Sequence, residues 1–175
     1  MSQKQFKTLI KAKEINKRIK ELAGILDKKY KKEDTIFVCV LKGAVLFYTE
    51  LIKNLKNKNI ELDFIQVKSY EGTESSGQVK IIKDVLVNVT NKNVVLVEDI
   101  IDTGITANFL YEHIASKNPK SILMCSLLQK PEKLKVDLKL ETLIGFEIPN
   151  KFIVGFGLDY YEKLRNENKI LILKD

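Results

Sequence analysis

The sequence has no tryptophan, one histidine, two cysteines and three prolines in 175 residues. The lone His113 excludes a multi-histidine metal centre and leaves a single candidate for serine–histidine or cysteine–histidine chemistry. Cys39 and Cys125 sit inside apolar, strand-like runs and form no C-x-x-C pair, which argues against a structural zinc site. They read as buried, reduced thiols of a reducing compartment. No apolar run reaches the roughly 18–20 residues that span a bilayer. The N-terminal MSQKQFKTLIKAKE has no apolar leader core. A cytoplasmic location and no membrane partner are expected. Arginine is scarce too: Arg18 and Arg165 are the only two among 30 basic residues, set against 23 acidic ones for a net charge of +7. Such a surface attracts polyanions, either nucleic acid or a small phosphorylated substrate. The lysines are spread along the chain, however, which favours a solvated surface over a nucleic-acid footprint.

Hydrophobic residues make up 45% of the chain, enough for one well-buried core. No repeat, low-complexity block or linker composition divides it, so a single domain over 1–175 is expected. Ile15, Ile19, Leu22 and Leu26 recur at helical spacing and predict an amphipathic helix from about Lys11 to Tyr30. Thr35–Val40 is a continuous apolar run, as in a strand covered on both faces. A second helix stripe runs through Ala44, Phe47, Tyr48, Leu51, Ile52 and Leu55. Strands are expected at Glu61–Tyr70, Val79–Val87, Val94–Val97 and Ser121–Leu128, with a helix over Thr106–Ser116 stopped by Pro119. Shorter strand candidates lie at Thr142–Phe146, Phe152–Val154 and Ile170–Leu173. Strand and helix alternate through the middle. The predicted fold is therefore α/β: an open, mostly parallel central sheet flanked by helices, with a strand-rich excursion near 60–87 and a small C-terminal region.

The informative segment is VVLVEDIIDTGITA, residues 94–107. Four apolar residues lead into Glu98 and Asp99, and Asp102-Thr103-Gly104 follows. In open α/β sheets, ligands bind beyond the carboxyl ends of the strands. Gly104 permits positive φ, and free amides at the next helix start, with the Thr103 and Thr106 hydroxyls, make an anion cradle. Acids beside a phosphate repel it unless something mediates. Ribose hydroxyls can do so, because a carboxylate accepts two hydrogen bonds from a vicinal diol; Mg²⁺ can also do so. The combination suggests a sugar phosphate, with hydroxyls toward Glu98 and Asp99 and phosphate toward residues 103–106. Asp102-Thr103-Gly104 alone would read as a turn with a helix cap. Two acids at a buried strand end carry a desolvation cost that a purely structural loop has little reason to bear.

This segment resembles the 5-phosphoribosyl-1-pyrophosphate (PRPP) signature of the type I phosphoribosyltransferases, within them the hypoxanthine(-guanine) branch. Four further pieces resemble that family in order and spacing, from about Thr35 onward. They are LKGA (41–44), its pyrophosphate loop; SYEGTESSGQVK (69–80), its mobile loop; Lys130 in SLLQKP, its purine-contacting lysine; and KFIVGFGLDY (151–160), its base-stacking segment, completed by Tyr161–Arg165. The resemblance implies that fold, with a core of about 35–148 and a small hood built from the N-terminal segment and about 149–175. It also implies a homodimer or homotetramer. The implied reaction is transfer of the phosphoribosyl group from PRPP to N9 of a 6-oxopurine, hypoxanthine and guanine, with Mg²⁺ as cofactor and no nucleic-acid partner.

By the same resemblance, Asp102 is the acid/base near N7 of the purine. Thr103, Gly104, Ile105 and Thr106 hold the 5-phosphate. Glu98 and Asp99 hold the ribose hydroxyls and a Mg²⁺, and Asp159 helps a second Mg²⁺ on the pyrophosphate side. Lys42, Gly43 and Arg165 meet the pyrophosphate. The family often has two glycines after the lysine and can have a cis peptide before it, here Leu41–Lys42; this chain has Gly43-Ala44, which puts the second close approach in doubt. Lys130 donates to the purine O6 and mismatches the amino group of adenine. Phe152 stacks on the base, and Ile153 and Asp159 lie near its C2 edge. Ser69 and Tyr70 belong to a lid hinged at Gly72 and Gly77. Locally, several of these residues have plainer readings. Lys42 and Lys130 would be surface lysines, Asp159 a cap, Phe152 and Ile153 strand core, and 69–78 a surface loop. His113 is read as structural.

Three other readings compete. A regulator of the same fold would keep the PRPP loop and bind RNA, but Lys130 and Phe152-Ile153 favour an enzyme. A receiver-type signalling domain has its acid pair after the first strand, whereas here it follows a central one. A Rossmann oxidoreductase lacks its G-x-G-x-x-G here.

Overall fold

The apolar runs at the centre of the chain become the middle strands of a six-stranded sheet. The computed structural model describes residues 6–69 and 79–174. Its order of elements is β1 (Phe6–Ile10), α1 (Ala12–Tyr30), β2 (Thr35–Leu41), α2 (Val45–Asn54), β3 (Ile60–Ser69), β4 (Val79–Lys83), β5 (Asn93–Ile101), α3 (Ile105–Ala115), β6 (Ser121–Gln129), a 3-10 turn (Pro131–Lys133), β7 (Glu141–Glu147), β8 (Ile153–Val154) and β9 (Ile170–Leu173). The large sheet runs β4-β3-β2-β5-β6-β7 and is parallel except for β4. β1, β9 and β8 form a separate antiparallel sheet that joins the two ends of the chain.

Period-two alternation sorts the strand side chains into two layers. Phe37, Cys39, Val95, Val97, Leu123 and Cys125 face α1 and α2, whose buried stripe includes Ile15, Ile19, Leu22, Leu26, Phe47 and Leu51. Ile36, Val38, Val94, Leu96 and Met124 face α3 through Ala107, Leu110 and Ile114. Both cysteines are free and buried, and burial pushes each thiol up to about 12, so neither is a thiolate at neutral pH. α1 starts where the Glu14 carboxylate accepts the Lys11 amide at 3.0 Å. Arg18 of α1 reaches β7 and donates to the Ile144 and Gly145 carbonyls, each at 2.9 Å, which ties the helix to the sheet's edge strand. Among the described residues, no helix is long and apolar enough to cross a membrane.

Three elements differ from expectation. β1 has no clear local pattern; it forms because β9, from the other end of the chain, pairs with it. β4 stops at Lys83 instead of continuing to Val87, because residues 84–87 are drawn off the ladder by Asp63. That carboxylate, on β3, is 5% exposed and accepts the amides of Leu86 (2.6 Å), Val87 (2.9 Å) and Phe64 (2.7 Å). β5 does not end before the acids: it extends through Glu98 and Asp99 to Ile101. His113, read as structural, meets Asp84 through Nε2 at 2.8 Å, and Lys117 Nζ reaches the same carboxylate at 2.9 Å, fastening the 84–92 segment to α3.

Burial opposes ionisation of Asp63, but its three amides and Lys83 outweigh that and hold the carboxyl below its usual range. A depressed folded pKa stabilises above the unfolded value and is lost as pH falls through the folded one. Asp63→Ala should therefore cost about 1–3 kcal/mol near neutral pH, from amides left without an acceptor. The deficit should shrink in acid, as followed by thermal melts across pH.

Candidate active site

The β2–β5 ladder ends at Cys39↔Val97, whereas β5 stays paired with β6 as far as Ile101↔Gln129. A crevice opens where the chain order reverses, between β2, which leads on to β3, and β5, which leads on to β6. Glu98 and Asp99 are the first β5 residues past the end of the β2 ladder. The cavity there is about 410 Å³ and is lined by Lys42 and Gly43 after β2, by Glu98, Asp99, Asp102, Thr103, Gly104 and Thr106 from β5 into α3, and by Asp159 and Arg165 from the C-terminal region. Lys68 lines it as well. The structure thus gathers these ten predicted residues, from three stretches of chain, around one space. Ile105 starts α3 beside them. Ser69 ends β3, while Tyr70 and the rest of the expected lid lie outside the described residues.

Two glycines make the crevice possible. A Cβ on Gly43 would lie 1.6 Å from Asp99 Oδ2, and one on Gly157 would lie 1.9 Å from the Gly43 carbonyl oxygen. Asp99, the loop after β2 and the C-terminal segment are therefore stacked at backbone distance. Ala44 is wholly buried, and the close backbone approach within the protein is made by Gly43 on both sides. The Leu41–Lys42 peptide is cis. Gly104, at φ 83, turns β5 into α3, and the first-turn amides of α3 have no helical acceptors.

Glu98 is buried, and no basic side chain pairs with it or with Asp99 among the described residues. Burial, then the charge of Asp99, pushes Glu98 well above the usual carboxyl range. Burial raises Asp99 as well, offset in part by hydrogen bonds from its neighbours and by the Arg165 charge. Such a pair gains from hydroxyl donors or from a cation. Among the described residues, no three acidic, histidine or cysteine side chains converge into a ready-made metal cage. The donor set thus fits a hard cation that keeps most of its waters, as Mg²⁺ does. Asp159 is more committed than its sequence suggests: Oδ1 takes Arg165 Nη2 at 2.8 Å and Oδ2 takes the Glu162 amide at 2.9 Å.

Lys130 is a buried lysine, 7% exposed, and its Nζ lies 3.4 Å from Asp102 Oδ1. Its amide donates to the Ile101 carbonyl at 3.0 Å, which pins the end of β6 to the acid loop. Asp102 Oδ2 takes Lys133 Nζ at 2.6 Å, while Oδ1 is buried with no hydrogen-bond partner among the described residues. Lys133 was not anticipated. A 3-10 turn eclipses residues i and i+3, so Pro131 right after Lys130 was the available signal that both lysines share a side. Neither Lys130, Phe152 nor Ile153 lines the cavity itself. Ile153 is buried in β8; Phe152 is 47% exposed, edge-on to Tyr160 at 5.7 Å. Arg165 donates Nη1 to the Gly157 carbonyl at 2.7 Å, and its Nε is a buried donor without a partner among the described residues.

Residues 6–161 match the family described as phosphoribosyl transferase domain. A hypoxanthine-guanine phosphoribosyltransferase of Bacillus subtilis is 43% identical over 169 residues, which is 96% of this chain and 93% of that protein. A crystal structure of a hypoxanthine-guanine phosphoribosyltransferase from Bacillus anthracis superposes with a TM-score of 0.88 at 43% identity, covering 97% of both chains. A hypoxanthine phosphoribosyltransferase from Trypanosoma cruzi, in complex with the product IMP, has a TM-score of 0.86 at 34% identity over 95% of this chain and 93% of that one.

A carboxyl whose folded pKa is raised stabilises below its unfolded pKa, and that stability is lost as pH rises through the folded value. Glu98→Gln removes this loss. Its melting temperature, relative to the parent protein in metal-free buffer, should match in acid and rise above it toward alkaline pH. A difference that stays flat from about pH 4 to about pH 9 would contradict the buried-acid account.

Proposed function

The chain belongs to the phosphoribosyl transferase family, and from that premise we propose that it transfers the 5-phosphoribosyl group of PRPP to N9 of hypoxanthine and guanine, giving IMP or GMP and pyrophosphate in purine salvage. One observation carries the assignment: relatives named hypoxanthine-guanine phosphoribosyltransferase match this chain nearly end to end. The buried pair Lys130–Asp102 beside the acid and phosphate loop supports it. The relatives lend no support to a regulatory RNA-binding protein.

In this reading Thr103, Gly104, Ile105 and Thr106 hold the 5-phosphate, where hydroxyls and helix-start amides favour an anion. Glu98 and Asp99 accept hydrogen bonds from the ribose 2′- and 3′-hydroxyls. Lys42 and Arg165 hold the pyrophosphate, and Arg165 Nε, without a hydrogen-bond partner among the described residues, has a donor to spare for it. Lys130 donates to O6 of the purine, a contact that the 6-amino group of adenine cannot accept. Phe152, partly exposed, has a ring face available for the base. With Oδ2 engaged by Lys133, Asp102 presents Oδ1 to the N7 proton. As the C1′–oxygen bond to pyrophosphate breaks and the N9–C1′ bond forms, that proton passes to Asp102. The acids of the crevice, Glu98 and Asp99, with Asp159 on the pyrophosphate side, are the residues that would hold Mg²⁺. When bound, the ion supplies positive charge to the leaving pyrophosphate.

A spectrophotometric assay with PRPP and Mg²⁺ tests this directly. Hypoxanthine and guanine should turn over, and adenine should not. Turnover of adenine alone, or no PRPP-dependent product with any purine, would overturn the assignment. Asp102→Asn should lower kcat about 10²–10⁴-fold while PRPP binding, measured by calorimetry, is kept. Excess chelator should abolish turnover.

A further inference from the structure

The two cations assigned to pyrophosphate are already occupied. Lys42 Nζ lies 3.1 Å and Arg165 Nη2 lies 3.2 Å from one and the same oxygen, Oε2 of Glu162. A carboxylate oxygen bridging two cations takes the place that a phosphate oxygen would take. We propose that Glu162 is an internal counter-anion of the pyrophosphate subsite, which competes with PRPP and pyrophosphate for Lys42 and Arg165 and returns to them as pyrophosphate leaves. This deepens the function proposed above and rests on its assignment of those two cations.

The local structure suits such an exchange. The Glu162 main chain is fixed, with φ 62 and its amide on Asp159 Oδ2 at 2.9 Å. Its side chain is 65% exposed and that of Lys42 58%, so only two solvated side chains need to move. Arg165 keeps its orientation when Glu162 departs, because Nη1 stays on the Gly157 carbonyl at 2.7 Å and Nη2 on Asp159 Oδ1 at 2.8 Å. Lys42 and Arg165 both meet the same Glu162 oxygen, so a single carboxylate spans the two cations. Exposed ion pairs are weak. A multiply charged pyrophosphate can therefore displace this one, yet the pair still shields the two cations when the subsite is empty. A surface pair with no such role would leave pyrophosphate affinity untouched.

Glu162→Gln keeps the shape and removes the charge. At low ionic strength, calorimetric titration with inorganic pyrophosphate and Mg²⁺ should show about three- to ten-fold tighter binding than the parent protein, a range set by the size of exposed pair energies. The KM for PRPP should fall in step while the purine KM is unchanged. Glu162→Asp, which keeps the charge, should resemble the parent. Pyrophosphate affinity that is unchanged or weaker in Glu162→Gln would overturn the proposal. Lys42→Met separates the two levels of the argument. If it weakens pyrophosphate while Glu162→Gln has no effect, the counter-anion alone is refuted. If Lys42→Met leaves pyrophosphate binding intact, the cation assignment itself fails.

Discussion

Gly43 lies between the Asp99 carboxylate and the Gly157 backbone, with no room for a Cβ on either side. Three segments, far apart in sequence, meet at this point: the end of β2, the acid-bearing end of β5 and the C-terminal segment that carries Asp159 and Arg165. Backbone atoms can approach at this distance only where side chains are missing. The spacing of the two glycines therefore sets how far the cavity walls stand apart. The Lys42 and Arg165 cations, the Glu162 carboxylate that bridges them and the Glu98–Asp99 pair all gather around that contact.

The acid pair is the costly element of the arrangement. The protein places two neighbouring carboxylates in the crevice just past the end of the β2 ladder and gives them no lysine or arginine partner among the described residues. Burial works against both charges, and at Glu98 the neighbouring charge of Asp99 adds to it. A few residues on, Asp102 is treated the opposite way, with Lys130 and Lys133 both at its carboxylate. The contrast matches the chemistry proposed for them. A pair that gains from donors or a cation suits the sugar and the metal. A carboxylate with one oxygen hydrogen-bonded to Lys133, and the other near Lys130 but without a hydrogen bond among the described residues, suits a proton transfer. None of this needs a histidine, and His113 instead ties α3 to Asp84.

Much of this was legible in the residues. Continuous apolar runs for β2, β5 and β6, and the 3.6-residue stripe of α1, are local patterns that give period and burial together. The adjacent acids, the Thr and Gly turn and their place after an apolar run marked the site. What was misjudged lies where a distant partner intervened. β4 ends early because Asp63 on β3 captures the following amides. β1 exists because β9 comes back to it. Lys130 reads locally as a surface lysine and is buried because the 3-10 turn folds it against Asp102. Asp159 reads locally as a cap and does accept the Glu162 amide, but its ion pair with Arg165 has no local sign in the sequence.

The sequence by itself determined that this would be a helix-flanked parallel sheet, with acids and an anion cradle at one strand end, because burial period and turn chemistry are short-range properties. Its single histidine already excluded a multi-histidine metal centre. Only the tertiary structure decided which charges stand alone and which are paired. Lys133 on Asp102, Glu162 across Lys42 and Arg165, and the Gly43–Gly157 contact join residues that the chain separates by 3 to more than 100 positions. Side-chain ionic and steric contacts depend on distances in space, and for most of these pairs the chain's order carries no record of them.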